Sequence, residues 1–164
     1  MRVNPEVAYN ALFNQVCGIN KNQANGHPSF TPLRTMSRRW VKWDEIGDLP
    51  MPAFFQMQPP TGANASQVGK FGITKWHLKA ELWFYFAVDV GDLHTPTSTV
   101  INNYLAAVDL ILQPTIQSPG GARQQLGLGP GLENAWIDGT VITDEGIFTP
   151  PAILMVPVTM TMGG

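Results

Sequence analysis

Charge is what this sequence has least of. Only 13% of its 164 residues are Asp, Glu, Lys or Arg, where about 25% is usual. Ten basic residues stand against twelve acidic ones, for a net charge of −2. That balance excludes a protein held to nucleic acid by bulk electrostatics. There is one cysteine, Cys17, so no intrachain disulfide forms, a usage that fits a reducing compartment. The best apolar run, "LWFYFAV", falls far short of a bilayer span. The opening "MRVNPEVAYN" has one early arginine and no apolar core, so no secretory signal is expected there.

Apolar content is ordinary at 44%, with five Trp and seven Met. Thr, Asn, Gln, Pro and Gly replace the missing charge. A lightly charged surface resists association poorly. The cores of protein interfaces are likewise poor in charge and rich in aromatics and Met. The composition therefore predicts a subunit that buries much of its outside against other copies. The plain alternative is a monomer with a polar, uncharged surface. Length predicts one domain, residues 1–164, able to bury roughly 70% of its unfolded surface without staples.

"VNPEVAYNALFNQVCGI" predicts a helix. Asn4 caps it, Pro5 suits its first turn, and Glu6 sits at the positive end of the dipole. Ala8, Leu12, Val16 and Ile19 form its apolar face. "NKNQANGHPSFTP" reads as loop. "LRTMSRRWVKW" reads as a strand of imperfect alternation, and "PAFFQMQ" as a short strand between prolines. "PPTGANASQVGKFG" reads as a long Gly/Asn/Ser loop. "TKWHLKAELWFYF" is the clearest signal. Trp76, Leu78, Ala80, Leu82, Phe84 and Phe86 take one face, and Lys75, His77, Lys79, Glu81, Trp83 and Tyr85 the other. Its length, roughly 43 Å at 3.3 Å per residue, predicts a strand that outruns the sheet or joins a hairpin arm. The aromatic end of its second face, at Trp83 and Tyr85, is expected to be covered.

"TPTSTVINNYLAAVDLILQP" predicts a second helix, capped by Thr97 or Ser98 and stopped by Pro114. "SPGGARQQLGLGPGLEN" reads as another Gly/Pro loop. "AWIDGTVIT", a turn at "DEG" and "ILMVPVTMTM" read as the last strands, with Pro157 making the final one an edge strand or placing a bulge in it. The order predicts an α+β domain: a mostly antiparallel sheet flanked by two main helices.

Chemistry finds little support. His27, His77 and His94 are widely spaced and form no zinc-binding pair. The glycines of "GGARQQLGLGPG" do not match a phosphate loop, and there is no nucleophile elbow. Cys17 reads as a small buried apolar residue. Asp138, Asp144 and Glu145 lie within eight positions, but extended chain separates Asp138 from the turn acids by about 20 Å, and an EF-hand's twelfth-position Glu is missing. The stretch reads as a strand ending in an acidic turn, with Gly146 supplying a positive φ. No cofactor, no metal site and no catalytic group are expected.

"SRRWVKW" interleaves Arg38, Arg39 and Lys42 with Trp40 and Trp43. It suits an acidic partner surface or passing DNA, and suits a solvated strand face equally well. Lys70 and Arg123, in the two long loops, are further contact candidates, as are Trp83 and Tyr85.

The strand "NAWIDGTVITDEG" followed by "ILMVPVTMTM" resembles the C-terminal part of the tail terminator (tail completion) proteins of tailed bacteriophages. "VAYNALFNQV", "FTPLRTMSRRWVKWDEI", "MPAFFQMQ", "KWHLKAELWFYF" and "TVINNYLAAVDLIL" agree in order, so the resemblance spans nearly the whole chain. It implies an α/β sandwich, six copies of which form a ring that caps the tail tube at full length. The ring ends addition of tube subunits and presents a docking surface to the head connector. Its partners are further copies of itself, the tube protein and the connector or neck proteins. DNA passes through the lumen without sequence-specific binding, and no membrane is involved. The place implied is the virion tail or neck, after assembly in the host cytoplasm. A head–tail joining protein of the same kind of virion is the alternative, and a small enzyme the second. For a terminator, the loops Pro59–Gly72 and Ser118–Asn134 are the expected tube contacts.

Overall fold

The structure is a computed structural model that describes residues 4–19, 32–60, 63–68, 73–88, 91–119, 121–146 and 150–163. The first helix, α1, runs Pro5–Cys17. Asn4 caps it as expected, its Oδ1 accepting from the Glu6 N–H at 2.9 Å. Ala8, Leu12, Val16 and Ile19 are all fully buried.

The basic segment is not one strand. Only Thr35–Ser37 (β1) is extended, and a 3-10 turn follows at Trp43–Glu45. The reason is in its neighbours. Trp40 and Val41 pack into a small apolar cluster, while Arg38 reaches α1, and no extended segment serves both.

Next come β2 (Ala53–Met57), β3 (Ala63–Val68) and β4 (Ile73–Phe86). β3 lies inside the expected loop, which is therefore corrected: it pairs antiparallel with β4, from Ala63↔Leu78 to Val68↔Ile73. The long strand does belong to a hairpin arm. β2 pairs beside it on the same edge, from Ala53↔Tyr85 to Met57↔Glu81.

Helix α2 runs Thr97–Ile111. Its N-cap is Pro96, and neither Thr97 nor Ser98 caps it. The Glu145 carboxylate does that work from a distance, accepting from the Ser98 N–H at 2.9 Å. At the other end Gln124 Nε2 donates to the Ile111 and Gln113 carbonyls, at 3.0 and 2.6 Å, which satisfies groups a helix end leaves open. The second expected loop holds a small hairpin, β5 (Ile116–Ser118) with β6 (Gly121–Arg123), and a 3-10 turn at Gly129–Gly131.

The chain closes with β7 (Asn134–Ile137), β8 (Ile142–Asp144) and β9 (Ala152–Met162). β9 is not an edge strand. It pairs with β4 along its whole length and with β7 and β8 on its other side. The sheet order is β1-β2-β4-β9-β7, with only β1–β2 parallel. Pro157 is accommodated by its neighbour instead. Its carbonyl accepts from the Asp138 N–H, so the side where it lacks a donor faces β7 and β8. There the neighbouring strand breaks, and residues 138–141 stand opposite only 156 and 157. Gly139, at φ +121, makes the break.

The result is the expected single-domain α+β architecture, with both helices on one face. Leu78, Ala80, Leu82, Phe84 and Phe86 meet alternate residues of β9, Tyr104 and the α1 face in one core. Phe54 stacks on Phe84 at 4.9 Å, and Phe86 lies 4.9 Å from Tyr104. Each such ring contributes on the order of 2 kcal/mol by burial. Gln56 Nε2 donates to the Tyr9 carbonyl and Tyr9 Oη donates to the Lys79 carbonyl, both at 2.9 Å, tying α1 to the sheet.

Candidate contact surface

The helix-free face of the sheet carries the odd-numbered residues of β4. One end of it is covered, as expected. Trp40, Val41, Ile46 and Met51 close over Phe55, Tyr85 and Ile153. Tyr85 is wholly buried there. Its hydroxyl donates to the Val41 carbonyl at 2.9 Å, and burial pushes its pKa up to about 12. It has no surface to offer a partner, which corrects its place among the contact candidates.

Trp83 lies at the margin of this cover. It is half-buried, meets Trp40 edge-on at 5.7 Å and donates its Nε1–H to Glu81 at 2.9 Å. Beyond it no helix among the described residues covers the face. Register places Trp83, Met155 and Ile142 in one row, and Trp136 beside Thr159 and Lys79 in another. Ile142 is 48% exposed, Lys79 is exposed, and Trp136 and Pro157 are half-buried. This patch of Ile142, Trp136 and Pro157, flanked by Lys79 and Glu81, is the main contact candidate. Ile142 and Trp136 were missed in the sequence, because their exposure follows from where the cover stops, and the strand pattern alone does not fix that.

The cations of "SRRWVKW" part company. Arg38 donates to both carboxylate oxygens of Glu6 and to Asn10 Oδ1, and its guanidinium sits 5.9 Å from the Tyr9 ring centre. The Arg38 hydrogen bond holds the Glu6 carboxyl below its ordinary pKa. Arg38 therefore fastens α1 to the β1 segment. Lys42 pairs with Asp44 at 3.2 Å, and Arg39 is exposed. Arg123 is half-buried on β6. Lys70 lies outside the described residues.

The three acids do three separate structural jobs. Asp138 accepts from the Thr159 hydroxyl at 2.8 Å, Asp144 from the Gly146 N–H at 2.8 Å, and Glu145 from Ser98. Gly146 takes the expected positive φ, at +75. The strand expected through "AWIDGTVIT" is broken at Gly139. Among the described residues no group of three or more His, Cys, Asp and Glu side chains converges. Cys17 is half-buried, and burial pushes its thiol up to about 11. His77 Nδ1 lies 3.4 Å from the Thr161 hydroxyl, and the His94 N–H donates to Asp92. His27 lies outside the described residues. No helix among the described residues is long and apolar enough to cross a membrane.

One open cleft of about 500 Å³ lies at the β4 C-terminal end, lined by Trp43, Asp44, Ile46, Gly47, Met51, Ala87, Val88, Pro150 and Pro151. Its lining is mostly apolar and includes one carboxylate. Compared with known protein families and with curated proteins, the chain gives no match.

Proposed function

We propose that this chain is a structural subunit of a phage tail: a terminator, six copies of which form a ring that caps the tail tube and receives the head connector. The observation that carries the reading is the helix-free sheet face. Its uncovered half presents Ile142, Trp136 and Pro157 next to Lys79 and Glu81, an aromatic and apolar patch with a charged margin, the make-up of a contact surface. The order of sequence segments that resembles terminators supports the same reading. Copies of the chain cover this face, and the two ring surfaces meet the tube protein and the connector. DNA passes through the lumen, with no base-specific contact. The ring belongs to the virion tail and is assembled in the host cytoplasm.

The two long segments remain the proposed tube contacts. Removing Asn64–Gln67 would cut strand β3 out of its pairing with β4. Replacing residues 69–72 by Asn-Gly, a two-residue hairpin turn, tests the arm without removing either strand. The expected phenotype is tails of irregular length that fail to join heads. Tails of fixed length that still join heads would move the contact elsewhere.

Native mass spectrometry of the free protein, with electron microscopy of protein mixed with tail tubes, tests the whole reading. A hexamer seated at one tube end is expected. A monomer in both settings would refute it. A ring that binds the connector and ignores tubes would identify a head–tail joining protein instead.

A further inference from the structure

Most outer strands of this sheet are poor templates for an added strand. β1 spans only three residues, and β7 and β8 are separated by the break at Gly139. The outer side of β2 is taken by β1. β3 is different. Its six residues, Ala-Asn-Ala-Ser-Gln-Val, hold no charge and no proline, and their register with β4 is unbroken from Ala63↔Leu78 to Val68↔Ile73. Among the described residues no strand lies on its other side. Every second residue of such a strand aims its N–H and C=O outward. Natural edges are usually blunted by charge, proline, a bulge or short length, and β3 carries none of these.

The side chains beside this edge leave room for a neighbour. In the sheet Trp76 stands between Met162 and Ala65. Met162 is buried, while Ala63 and Ala65 are exposed. With only a methyl group between it and the edge, Trp76 is 37% exposed. A strand added beside β3 extends this row, and a small residue opposite Ala65 lets the indole lie across the seam. β3 itself brings that residue. Paired antiparallel with its own copy about Ala65, it sets Ala65 against Ala65, and the row reads Trp76, Ala65, Ala65, Trp76. The two tryptophans then stand three strand spacings apart, about 14 Å, with only two methyl groups between them for the indoles to cover.

We propose that β3 of one copy pairs antiparallel with β3 of a second copy across a two-fold axis at Ala65, joining two sheets into one. No other outer strand among the described residues is long enough to answer six residues, so the strand meets its own copy and the contact is isologous. The axis stands perpendicular to the sheet. The helices of both copies therefore lie on one side of the joined sheet, and both helix-free faces stay open on the other for the ring contact. One strand pair is a small contact against the cost of association. Its strength rests on the ring reading above, because seams repeated around a ring act together. The free protein is then two rings joined through their β3 edges, a pair that closes when the two-fold axes cross the ring axis.

The test uses the full chain, free of tubes. Ala65→Lys and Ala65→Asp each set like charges opposite one another at the seam, which destabilises a strand pair, and a mixture of the two sets opposite charges there. In native mass spectrometry each variant alone should run at half the wild-type mass. The equimolar mixture should regain the full mass. Variants that keep the wild-type mass, or a mixture that stays at half, overturn the seam and leave the ring standing. A wild-type chain that is monomeric both free and on tubes overturns the ring as well. A second measurement does not depend on a charge being tolerated on β3. In a Cys17→Ser background, Ala65→Cys should form a disulfide between copies on mild oxidation, because the residue meets itself. It should form at least tenfold faster than with Leu93→Cys, at an apolar position that is 90% exposed. Equal rates overturn the two-fold seam.

Discussion

Ser98 and Glu145 are 47 residues apart, and the Ser98 N–H donates to the Glu145 Oε1 at 2.9 Å. An acid in a turn thus supplies the cap that α2's own first residues do not. Glu145→Ala should destabilise the fold by about 0.5–2 kcal/mol, the range for a lost N-cap. Glu145→Gln keeps an acceptor and loses the charge at the helix dipole, worth about 0.3–1 kcal/mol. Urea unfolding with unchanged slope would show both.

Asp138 and Asp144 accept hydrogen bonds from Thr159 and Gly146, and an asparagine amide oxygen can replace either acceptor. Asp138→Asn with Asp144→Asn should leave assembly intact. Calorimetric titration with divalent ions checks the same variant. A tight, stoichiometric ion bound by the native chain and lost here would contradict the structural roles given to these acids.

Gly139 holds φ +121, and a Cβ there would stand 3.2 Å from Pro157 Cγ. Gly139→Ala meets backbone strain and crowding together, and should cost roughly 1–3 kcal/mol. Pro157→Ala in that background should recover the crowding part only. Thermal midpoints of the two variants separate the causes.

Arg38 donates to Glu6, and this hydrogen bond, the largest cause, holds the Glu6 carboxyl below its ordinary value of 4.5. A depressed acid adds stability that is fully present above its unfolded pKa and lost as pH falls through the folded one. The wild-type chain should therefore lose stability below about pH 4.5 more steeply than Arg38→Ala. Glu6 is solvent-exposed and Arg38 only half-buried, so the difference should be small and should shrink in high salt. Denaturation midpoints across pH 3–7 at two salt concentrations measure it.

Ile142 is exposed on β8, so Ile142→Asp should change monomer stability by no more than about 0.5 kcal/mol. On the proposed interface it should abolish self-association. Sedimentation at matched concentrations distinguishes the two effects. Unchanged assembly would remove the helix-free face from the ring contact.

What could be read in the sequence was what local pattern dictates. Asn4 and the Ala8–Leu12–Val16–Ile19 spacing fixed α1, and alternation from Leu78 to Phe86 fixed the core face of β4. β3 was illegible because Ala-Asn-Ala-Ser has weak strand preference. It is extended because β4 offers it a backbone ladder. Arg38 and Trp40 read as parts of one strand because they lie two residues apart. Their partners, Glu6 and the cover over Tyr85, come from different layers of the fold. Glu145's role was hidden by distance, since nothing near it in sequence points to α2.

The break at Gly139 and Pro157 also governs what cannot happen to this sheet. An exposed strand edge invites a strand from another molecule, and long flat edges seed fibrils. Here the edge beyond β9 is cut into β7 and β8, of four and three residues, while the opposite edge is shared by the three-residue β1 and the six-residue β3. The β7–β8 side offers no uninterrupted ladder to an incoming strand. On that side a chain with so little charge to keep its copies apart is steered away from edge-to-edge growth and left to associate through side chains.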